Sequence, residues 1–512
     1  MVVHNIEVER GGMTSVMLNR SRALAEKGYN VSLVTLDDNN RYQSISEELR
    51  KIGRLSDKVG ILNVYDYYKD LNTRGGVSDE QLRYYGEASD IYEKGYDIQS
   101  DELQAKFYAR YFKDGVYVKY KKWNKDFTLS HIDYFDNQRN RTSREIFNKK
   151  GYIEKIIFFN VNTNKQHQVI FKTEDGFTYL NKWFNPEKGN LQQQFLFTRD
   201  TNRVSLFKNN IELHSRWLNE ICEKEESKPF VICDGIGSAD KILSMDKALA
   251  YRIYPLHTNH FQEPYTFGSE IKEKHRKILT NLIDLDSLVV LSEDHKIDIT
   301  NQFGNFGNVD VIPNSITKKN HDIVKDDSQE IAIVARYDKI KQIDHAIKAF
   351  AKVVNEFPNA KLNIYGNGAD EERLIKLITH MNLHANVFIK GYSKDVSSVY
   401  NKSLVTLLTS KSEAFGLVIA ESMLNQTPVI SYDINYGPRD IITNNIDGFL
   451  VPKDNIEKLA DKIIFSLKNQ DEIKEMGLKA KRNIELKFTN EIISKKWINL
   501  FETLKSKDLI EL

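Results

Sequence analysis

The last third of the chain alternates short apolar runs with amphipathic stretches. From about Ser328, the runs EIAIVARY, KLNIYGNG, NVFIKGY, SLVTLLTS, TPVISYD and GFLVP have the length and composition of buried strands. Between them, stretches such as DHAIKAFAKVVNEF and EERLIKLITHMN space their apolar residues as helices do. Strands of this kind separated by helices form a parallel sheet that is buried on both faces. The pattern therefore predicts a doubly wound domain over 316–490, followed by a C-terminal helix over 491–512 that returns toward the N-terminal domain.

The beginning of the chain follows the same pattern and is then interrupted. MVVHNI predicts a strand, GGMTSVMLNRSRALAEKGY a glycine turn that leads into a helix, and NVSLVTL the next strand. From about Ala105 to Phe207, the runs alternate apolar and polar residues and are separated by turn signals such as KDG and TEDG. Strand and helix alternation resumes at PFVICDG. We therefore predict an antiparallel β-meander, inserted at 76–209 into an N-terminal doubly wound domain of 1–75 and 210–315.

Length and composition indicate a multidomain globular protein. A chain of 512 residues is too long for one hydrophobic core, and 40% hydrophobic with 28% charged residues is ordinary for folded proteins. No stretch approaches the roughly 18 apolar residues of a membrane span, and the start has no signal pattern. We therefore expect a soluble, cytoplasmic protein, with its hinge in VIPNSITKKNHDIVKDDSQE, where Pro, Ser and mixed charge accumulate.

Charge is distributed unevenly along the chain. The net charge is +1, but residues 101–220 contain 21 Lys and Arg against 14 Asp and Glu, so this region is basic and the rest is acidic. Two interpretations stay open: the basic, aromatic region attracts a polyanion, or its cations protect exposed sheet edges from aggregation. The two cysteines, Cys222 and Cys233, are too few for a disulfide framework and lack the neighbours of a zinc site. We expect both to be buried thiols.

Several candidate ligand-binding residues come directly after predicted strands. Two facing doubly wound domains leave a cleft at the carboxyl ends of their strands, where such folds bind ligands. Gly11 and Gly12 follow the first strand and would let the backbone approach an anion, although a plain tight turn explains them as well. Arg336 ends a strand and Lys341 follows it, which suits a diphosphate, but exposed cations without function are also common.

Two glutamates frame the segment SEAFGLVIAES. On a single helix, Glu413 and Glu421 would lie ~12 Å apart along the axis, too far to share a proton. The better interpretation places Glu413 in a loop and begins a helix near Gly416, so that Glu421 lies about a turn inside it. The free N–H groups of Phe415, Gly416 and Leu417 could then hold a phosphate. A surface glutamate followed by a helical one would have the same composition. The spacing alone therefore does not indicate a binding site, and the surrounding sequence has to be considered.

That context resembles a known family. SEAFGLVIAESMLNQTPVISYD, with VARYDKIKQ and NIYGNG before it and YGPRDIITNNIDGFLV after it, is similar to the donor half of family 4 retaining glycosyltransferases. NIEVERGGMTSVMLNRS, VICDGIGS and LHTNHF resemble the bacterial α-glycosyltransferases that decorate poly(glycerol-phosphate) or poly(ribitol-phosphate) wall teichoic acid. The resemblance reaches most of the chain, although the insertion is matched only in kind. It implies an α/β fold of the GT-B type, in which two Rossmann-like domains face a cleft, with an antiparallel β-rich insertion.

The resemblance also implies roles for individual residues. Arg336 and Lys341 would neutralise the donor diphosphate, Glu413 would bind hydroxyls of the transferred sugar, and Glu421 would bind the ribose. His257 would face the donor sugar; His260 is an alternative, and a third possibility is that both only line the cleft. The donor-binding positions implied are Gly11, Gly12, Gly366, Tyr392, Phe415, Gly416, Leu417 and Glu421.

The implied chemistry is a UDP-sugar-dependent transfer with retention and without a metal or other cofactor. A retaining glycosidase would need two carboxylates ~5 Å apart, one of them a nucleophile, and no carboxylate of this sequence is clearly placed for attack. No Asp-x-Asp motif follows a strand. The motifs leave open UDP-glucose or UDP-N-acetylglucosamine as donor, and glycerol or ribitol in the polymer.

The resemblance implies partners as well. We expect a homotrimer assembled through the insertion, an anionic polymer acceptor, membrane proximity only through a lipid-linked acceptor, and no nucleic acid. Two alternatives stay open. A similar class of enzymes glycosylates Ser/Thr-rich adhesins, usually with a partner subunit, and a nucleotide-sugar-binding protein would not turn over at all. Intact Arg336, Lys341 and Glu413 argue against the second alternative.

Overall fold

The structure is a computed structural model that describes residues 1–9, 11–100, 107–317 and 330–511. These residues form two compact units. Unit 1 comprises Met1–Val34, Arg41–Ile61 and Glu225–Leu512, and unit 2 comprises Thr35–Asn40 and Leu62–Lys224. The predicted insertion, 76–209, lies within unit 2.

The strands of the described residues are, in chain order, β1 (Val2–Val3), β2 (Val31–Thr35), β3 (Val59–Asn63), β4 (Asp97–Gln99), β5 (Tyr108–Lys113), β6 (Val116–Trp123), β7 (Leu129–Phe135), β8 (Arg141–Phe147), β9 (Ile153–Phe159), β10 (Gln166–Lys172), β11 (Thr178–Phe184), β12 (Leu191–Thr198), β13 (Arg203–Phe207), β14 (Phe230–Ile232), β15 (Tyr251–Pro255), β16 (Ser287–Val290), β17 (Val309–Val311), β18 (Glu330–Val334), β19 (Lys361–Tyr365), β20 (Val387–Gly391), β21 (Val405–Leu408), β22 (Val429–Asp433) and β23 (Phe449–Pro452).

The α-helices are α1 (Met13–Glu26), α2 (Tyr42–Lys51), α3 (Val64–Asn72), α4 (Asp79–Ser89), α5 (Asn210–Cys222), α6 (Ala239–Leu243), α7 (Glu273–Thr280), α8 (Glu293–Phe303), α9 (Ile343–Glu356), α10 (Glu371–His380), α11 (Val396–Asn401), α12 (Leu417–Leu424), α13 (Pro438–Ile441), α14 (Ile456–Lys468), α15 (Gln470–Lys487) and α16 (Asn490–Glu511).

The N-terminal half of unit 1, which we define as its residues up to 317, is built on parallel strands. The sheet β1-β2-β3 and the parallel sheet β14-β15-β16-β17 are joined by a bridge between Val2 and Cys233. The strand predicted from MVVHNI is confirmed but covers only two residues. Trp497 and Phe501 of α16 are buried in the same apolar core as Leu33 and Ile253. The last helix thus packs on the N-terminal half.

The C-terminal half of unit 1, residues 330–489, has the six strands that the sequence predicted. They form one parallel sheet in the order β20-β19-β18-β21-β22-β23. In α9, Ile343, Ala346, Ile347 and Phe350 are almost fully buried, as the helical spacing of the sequence predicts. Residues 318–329 of the predicted hinge lie outside the described residues.

A close backbone approach at Gly366 brings two strand ends together. Gly366 follows β19 with φ +148°, and a Cβ atom at this position would lie 1.8 Å from the carbonyl oxygen of Ala335. Only glycine fits there, because any side chain would displace the backbone of the neighbouring strand. The contact holds the turn after β19 against the residue that precedes Arg336, at the carboxyl end of the sheet.

Unit 2 contains the predicted antiparallel meander. Its sheet has the strand order β13-β12-β11-β10-β9-β8-β7-β6-β5-β4, so each strand pairs with its neighbour in sequence. The KDG turn between β5 and β6 places Asp114 at φ 50° and Gly115 at φ 78°, as tight hairpins require. Two strands of this sheet, β8 (RTSREIF) and β11 (TYLNKWF), lack a clear alternation of apolar and polar residues.

One side of the first strands of this sheet is closed by α4. Ala88 of that helix shares a small core with Ala109, Tyr111 and Trp123. The fully buried Lys121 lies on this side too, where its ammonium pairs with Glu93 at 3.0 Å. Unit 2 therefore has a core of its own. Cys222 of unit 2 and Cys233 of unit 1 are both buried free thiols, which confirms the prediction.

Candidate active site

A cleft of about 1050 Å³ opens between the two halves of unit 1. Gly11 and Gly12 line its N-terminal side, and Tyr392, Leu417 and Glu421 line its C-terminal side. The cleft thus brings together five residues that the sequence predicted as donor-binding. Its size is at the upper end of the range for small-molecule sites, which suits an extended ligand such as a nucleotide sugar.

The glycine turn on the N-terminal side is held in place by an arginine. Gly12 has φ 59° and precedes α1, and its carbonyl accepts a hydrogen bond from the Val16 N–H at 3.1 Å. The Arg54 guanidinium donates to the carbonyl of Val8 and to Ser15 Oγ, on either side of the turn. Arg54 also lines the cleft. This contact could not be predicted from local sequence patterns, because Arg54 lies more than 40 residues from the turn.

The C-terminal side is formed where β21 leads into α12. Glu413 lies in the connecting loop, and Gly416, at φ 89°, is the residue before the helix, as predicted from the sequence. Glu421 lies inside α12, where its carboxylate accepts a hydrogen bond from the Tyr400 hydroxyl at 3.2 Å. Burial and this carboxylate raise the pKa of Tyr400 well above its ordinary value, so Tyr400 stays a neutral donor.

Lys341 and Glu413 form an ion pair at the same edge of the sheet. The Lys341 ammonium lies 2.5 Å from Glu413 Oε1, which also accepts a hydrogen bond from Ser410 Oγ at 2.7 Å. Thr409 Oγ1 donates to the Lys341 carbonyl at 2.9 Å. Both charged side chains are mostly buried. Hydrogen bonds from the β21 loop thus fix both members of the pair.

Arg336 is placed differently from Lys341. Its side chain is 68% exposed and pairs with Asp338 at 3.2 Å. The sequence predicted that both cations would bind a diphosphate, but their surroundings differ. Lys341 is held by a carboxylate, whereas Arg336 is accessible to a ligand.

His257 belongs to a buried cluster with Asp234 and Arg20 that the sequence did not reveal. Its Nε2 lies 3.0 Å from Asp234 Oδ1, and the other oxygen of Asp234 pairs with Arg20. Burial alone would raise the pKa of Asp234, but the charge of Arg20 and the hydrogen bond with His257 lower it to about 2. An ionised Asp234 orients the imidazole, with Nε2 as the donor. The one sequence feature that could have indicated this cluster is Asp234 in the segment CDG, two residues after the end of β14.

His260 occupies a different environment. It is fully buried, and its Nδ1 lies 3.0 Å from Nε2 of His295, whose ring stacks on it. Burial lowers the pKa of His260 to about 4, so it is neutral at physiological pH. In this arrangement His260 cannot contact a ligand in the cleft, and His257 stays the candidate.

The other predicted residues lie around the cleft without lining it. Phe415 is buried and packs edge-on against Phe488, so only its backbone could meet a ligand. The predicted residues outside the cleft lining are His257, Arg336, Lys341, Gly366, Glu413, Phe415 and Gly416. Within the described parts of the chain, no cluster of three or more His, Cys, Asp or Glu could hold a metal ion. No described helix is long and apolar enough to cross a membrane.

Replacing Asp234 with Asn should lower the free energy of unfolding by about 2 kcal/mol at pH 7, as urea denaturation would measure. The pKa of Asp234 lies below its ordinary value of 3.8, so its stabilisation is present above about pH 4. That stabilisation is lost as the pH falls through about 2, and the difference between variant and wild type should shrink in the same window.

The matched control is Asp57→Asn. Asp57 pairs with Arg50 at 3.6 Å, but its side chain is 94% exposed, so we expect a change below about 0.5 kcal/mol. Equal effects of the two substitutions would contradict the assignment of a buried cluster.

Comparison with known proteins places this geometry in a family. The model of the family described as glycosyl transferases group 1 matches residues 315–483, which include both Glu413 and Glu421. The chain is 31% identical over 508 residues to the poly(ribitol-phosphate) alpha-N-acetylglucosaminyltransferase of Staphylococcus aureus (strain COL), covering 98% of this chain and 99% of that one. It is 26% identical over 482 residues to the poly(glycerol-phosphate) alpha-glucosyltransferase of Bacillus subtilis (strain 168), covering 90% of this chain and 68% of that one.

A solved structure supports the same assignment. The fold matches that of an S. aureus TarM variant in complex with fondaparinux, alpha-GlcNAc-glycerol and UDP, with a TM-score of 0.84 and 29% identity over 98% of each chain. The expected GT-B fold with its β-rich insertion is thereby confirmed. This chain is a glycosyltransferase of group 1 and belongs to the family of the poly(ribitol-phosphate) alpha-N-acetylglucosaminyltransferase.

Proposed function

We propose that this protein transfers N-acetylglucosamine or glucose from a UDP-sugar to hydroxyl groups of a poly(polyol-phosphate) wall teichoic acid, in α linkage. The observation that carries the proposal is the cleft that joins the Gly11–Gly12 turn to Tyr392 and Glu421. The relatives named above act on poly(ribitol-phosphate) and poly(glycerol-phosphate), and the similar TarM structure contains UDP.

The donor would lie along the carboxyl end of the C-terminal sheet. We assign the ribose to Glu421, which lines the cleft, and the diphosphate to the free N–H groups at the start of α12. The transferred sugar would then reach Glu413 on one side and His257 on the other. Lys341 bridges the two regions, since its ammonium already contacts Glu413 and would lie between the sugar-binding carboxylate and the diphosphate.

The proposed reaction forms one bond and breaks one bond at the anomeric carbon. The acceptor hydroxyl oxygen bonds to this carbon on the face from which UDP leaves, the bond to the β-phosphate oxygen breaks, and that phosphate takes the hydroxyl proton. Negative charge builds up on the leaving UDP. Arg336 and Lys341 would stabilise it electrostatically, with no metal required. Arg336 is exposed enough to turn from Asp338 to the phosphate.

The proposed acceptor is a repeating polyanion. The basic composition of residues 101–220 would attract it, with an affinity that falls as salt is added. We place the reaction in the cytoplasm, with membrane contact only through a lipid-linked acceptor.

The first prediction from this proposal concerns substrate pairs. Purified protein should release UDP from UDP-N-acetylglucosamine or UDP-glucose faster when poly(ribitol-phosphate) or poly(glycerol-phosphate) is added. A coupled UDP assay over the four pairs, with and without EDTA, would identify donor and backbone together, and we expect EDTA to have no effect. The matched control is the sugar-free polyol phosphate monomer, which offers the same hydroxyls without the polyanion.

The result that would overturn the teichoic acid proposal is stimulation by a Ser-rich peptide and by neither polymer. It would indicate an adhesin-modifying enzyme instead. Release in none of the pairs, from a protein that binds UDP, would indicate a missing partner subunit or a binding protein without turnover.

Substitutions at the two glutamates should separate chemistry from donor binding. We expect Glu413→Ala and Lys341→Ala each to lower kcat at least about tenfold, because both groups contact the reacting sugar and phosphate. Glu421→Ala should mainly weaken UDP binding, by about tenfold in Kd, because a ribose hydrogen bond to a charged group is lost. Steady-state kinetics and calorimetric titration with UDP measure the two effects.

The control is Glu372→Ala, which removes an exposed carboxylate of the same half at the start of α10. It should match wild type in both measurements. Unchanged kinetics in Glu413→Ala would show that this carboxylate does not contact the sugar.

We further propose that unit 2 mediates homo-oligomerisation, as a trimer. On β5, β6 and β7, half-buried aromatic rings pack in a row on the side away from α4, with Tyr117 touching Phe112 at 5.4 Å and Phe135 at 4.7 Å between ring centroids. Tyr108 stacks on Tyr120 in the same region. Partly exposed aromatics of this kind are typical of protein interfaces.

Light scattering coupled to size-exclusion chromatography tests this proposal. We expect a mass near three times 59.5 kDa for wild type and about one 59.5 kDa chain for Tyr117→Arg, because a charge in the aromatic row would have to be buried unpaired. Trp183→Arg on β11 is the control, since Trp183 is 39% exposed and far along the sheet. A monomeric wild type would reject oligomerisation.

A further inference from the structure

A short segment of the C-terminal half, Asn435–Gly437, contacts both the Glu413 loop and a helix of the N-terminal half. It follows β22 and is separated from Glu413 by more than 20 residues in sequence. Neither the UDP-binding cleft nor the predicted site includes it. Its contacts show how the position of Glu413 is set.

The segment is hydrogen-bonded to Glu413 and to the residue before it. The Tyr436 N–H donates to the carbonyl of Glu413 at 2.9 Å, and Ser412 Oγ donates to the carbonyl of Asn435 at 3.4 Å. Gly437 packs so closely on the loop that a Cβ atom would lie 2.0 Å from the carbonyl oxygen of Phe415. The Glu413 loop therefore cannot shift without this segment.

The side chain of Tyr436 anchors the same segment on α8 of the N-terminal half. The ring is buried, with 1% exposure, and stacks on the imidazole of His295 at 4.2 Å between centroids and 10° between planes. Its hydroxyl donates to Asp298 Oδ2 at 2.6 Å. Burial and this carboxylate raise the pKa of Tyr436, so the hydroxyl stays protonated and can donate.

The contact continues from α8 to the loop that carries His257. His295 Nε2 lies 3.0 Å from Nδ1 of His260, three residues after His257. Buried, close-packed contacts thus connect the backbone of Glu413 to the backbone of His257 through Tyr436, His295 and His260. The two residues lie in different halves of unit 1. The side chain of Asn259, two residues after His257, also donates to the carbonyl of Asn435, at 3.5 Å, so the same segment contacts the His257 loop directly as well.

We propose that Tyr436 is a positioning residue that fixes Glu413 relative to His257 across the cleft, through its stacking on His295 and its hydrogen bond to Asp298. This inference rests on the proposed function, in which Glu413 and His257 face opposite sides of the donor sugar. A misplacement of about 1 Å between reacting groups can lower a rate by about two orders of magnitude. The proposed ribose and diphosphate contacts, at Glu421 and the start of α12, are by contrast not among the described partners of Tyr436, which are Glu413, Asp298 and His295.

The test is a double-mutant cycle on the hydroxyl and its acceptor. Tyr436→Phe and Asp298→Ala should each lower kcat about tenfold and change the Kd for UDP less than about twofold, because only the alignment of the halves is altered. The double variant Tyr436→Phe/Asp298→Ala should be no slower than either single variant. Asp298→Asn keeps an acceptor oxygen for the tyrosine and should retain activity within about threefold of wild type.

Tyr432→Phe is the matched control. Tyr432 lies four residues earlier, is equally buried, and bonds through its hydroxyl to His345 Nδ1 at 3.1 Å within the C-terminal half. It should keep the wild-type kcat. The proposal is overturned if Tyr436→Phe matches wild type, if Tyr432→Phe loses as much activity, or if the two single effects multiply in the double variant.

A distance measurement separates this inference from the proposed reaction. The native cysteines are buried, so spin labels can be attached at Ile283→Cys in the N-terminal half and Leu478→Cys in the C-terminal half, where the native residues are 71% and 50% exposed. Tyr436→Ala should broaden the label-to-label distance distribution, and Tyr432→Phe should not. If Tyr436→Ala broadens the distribution but the wild type shows no UDP release, the proposed substrates are rejected and the positioning role stands. If Tyr436→Ala leaves the distribution unchanged, the positioning role is rejected.

Discussion

The ion pair between Lys341 and Glu413 is the interaction around which the site is organised. A mostly buried ion pair depends on further hydrogen bonds to its charged groups, and here Ser410 donates to the Glu413 carboxylate while Thr409 fixes the backbone carbonyl of Lys341, both from the loop after β21. The same pair therefore requires the ends of two neighbouring strands, β18 and β21, to stay in register. Close glycine contacts, at Gly366 and Gly437, let the adjoining loops pack at van der Waals distance on this edge. The strand ends thus determine where Lys341 and Glu413 are held.

Sequence patterns predicted those features that depend on neighbours along the chain. The six apolar runs of the C-terminal half and the helix start at Gly416 follow from local periodicity and composition, and the structure has them. The cluster of Arg20, Asp234 and His257 could not be predicted in this way, because its members are brought together over more than 200 residues. Tyr436 was missed for the same reason. Strands β8 and β11 have the sequences RTSREIF and TYLNKWF, which lack the apolar and polar alternation on which strand prediction depends.

Unit 2 is built on a different kind of sheet from unit 1. Its sheet is antiparallel and each strand pairs with its sequence neighbour, so the whole meander can form from local contacts. An antiparallel sheet can leave part of one face exposed to solvent. In unit 2, the aromatic row on β5 to β7 lies on such a part. Parallel sheets such as those of unit 1 are covered by helices on both faces. An interface is therefore more readily built on the insertion than on the catalytic unit.

In the proposed function, donor binding and sugar transfer depend on different residues. Glu421 and Tyr392, with the start of α12, all belong to the C-terminal half, so the nucleotide end of a donor can be bound by one half alone. Glu413 and His257 belong to different halves, and the distance between them depends on side chains such as Tyr436 that cross the gap. A change in the contact between the halves should therefore affect transfer before it affects binding. For the same reason, a residue that affects the rate need not touch the ligand, and the buried contact between Tyr436 and α8 is where the proposal places such a residue.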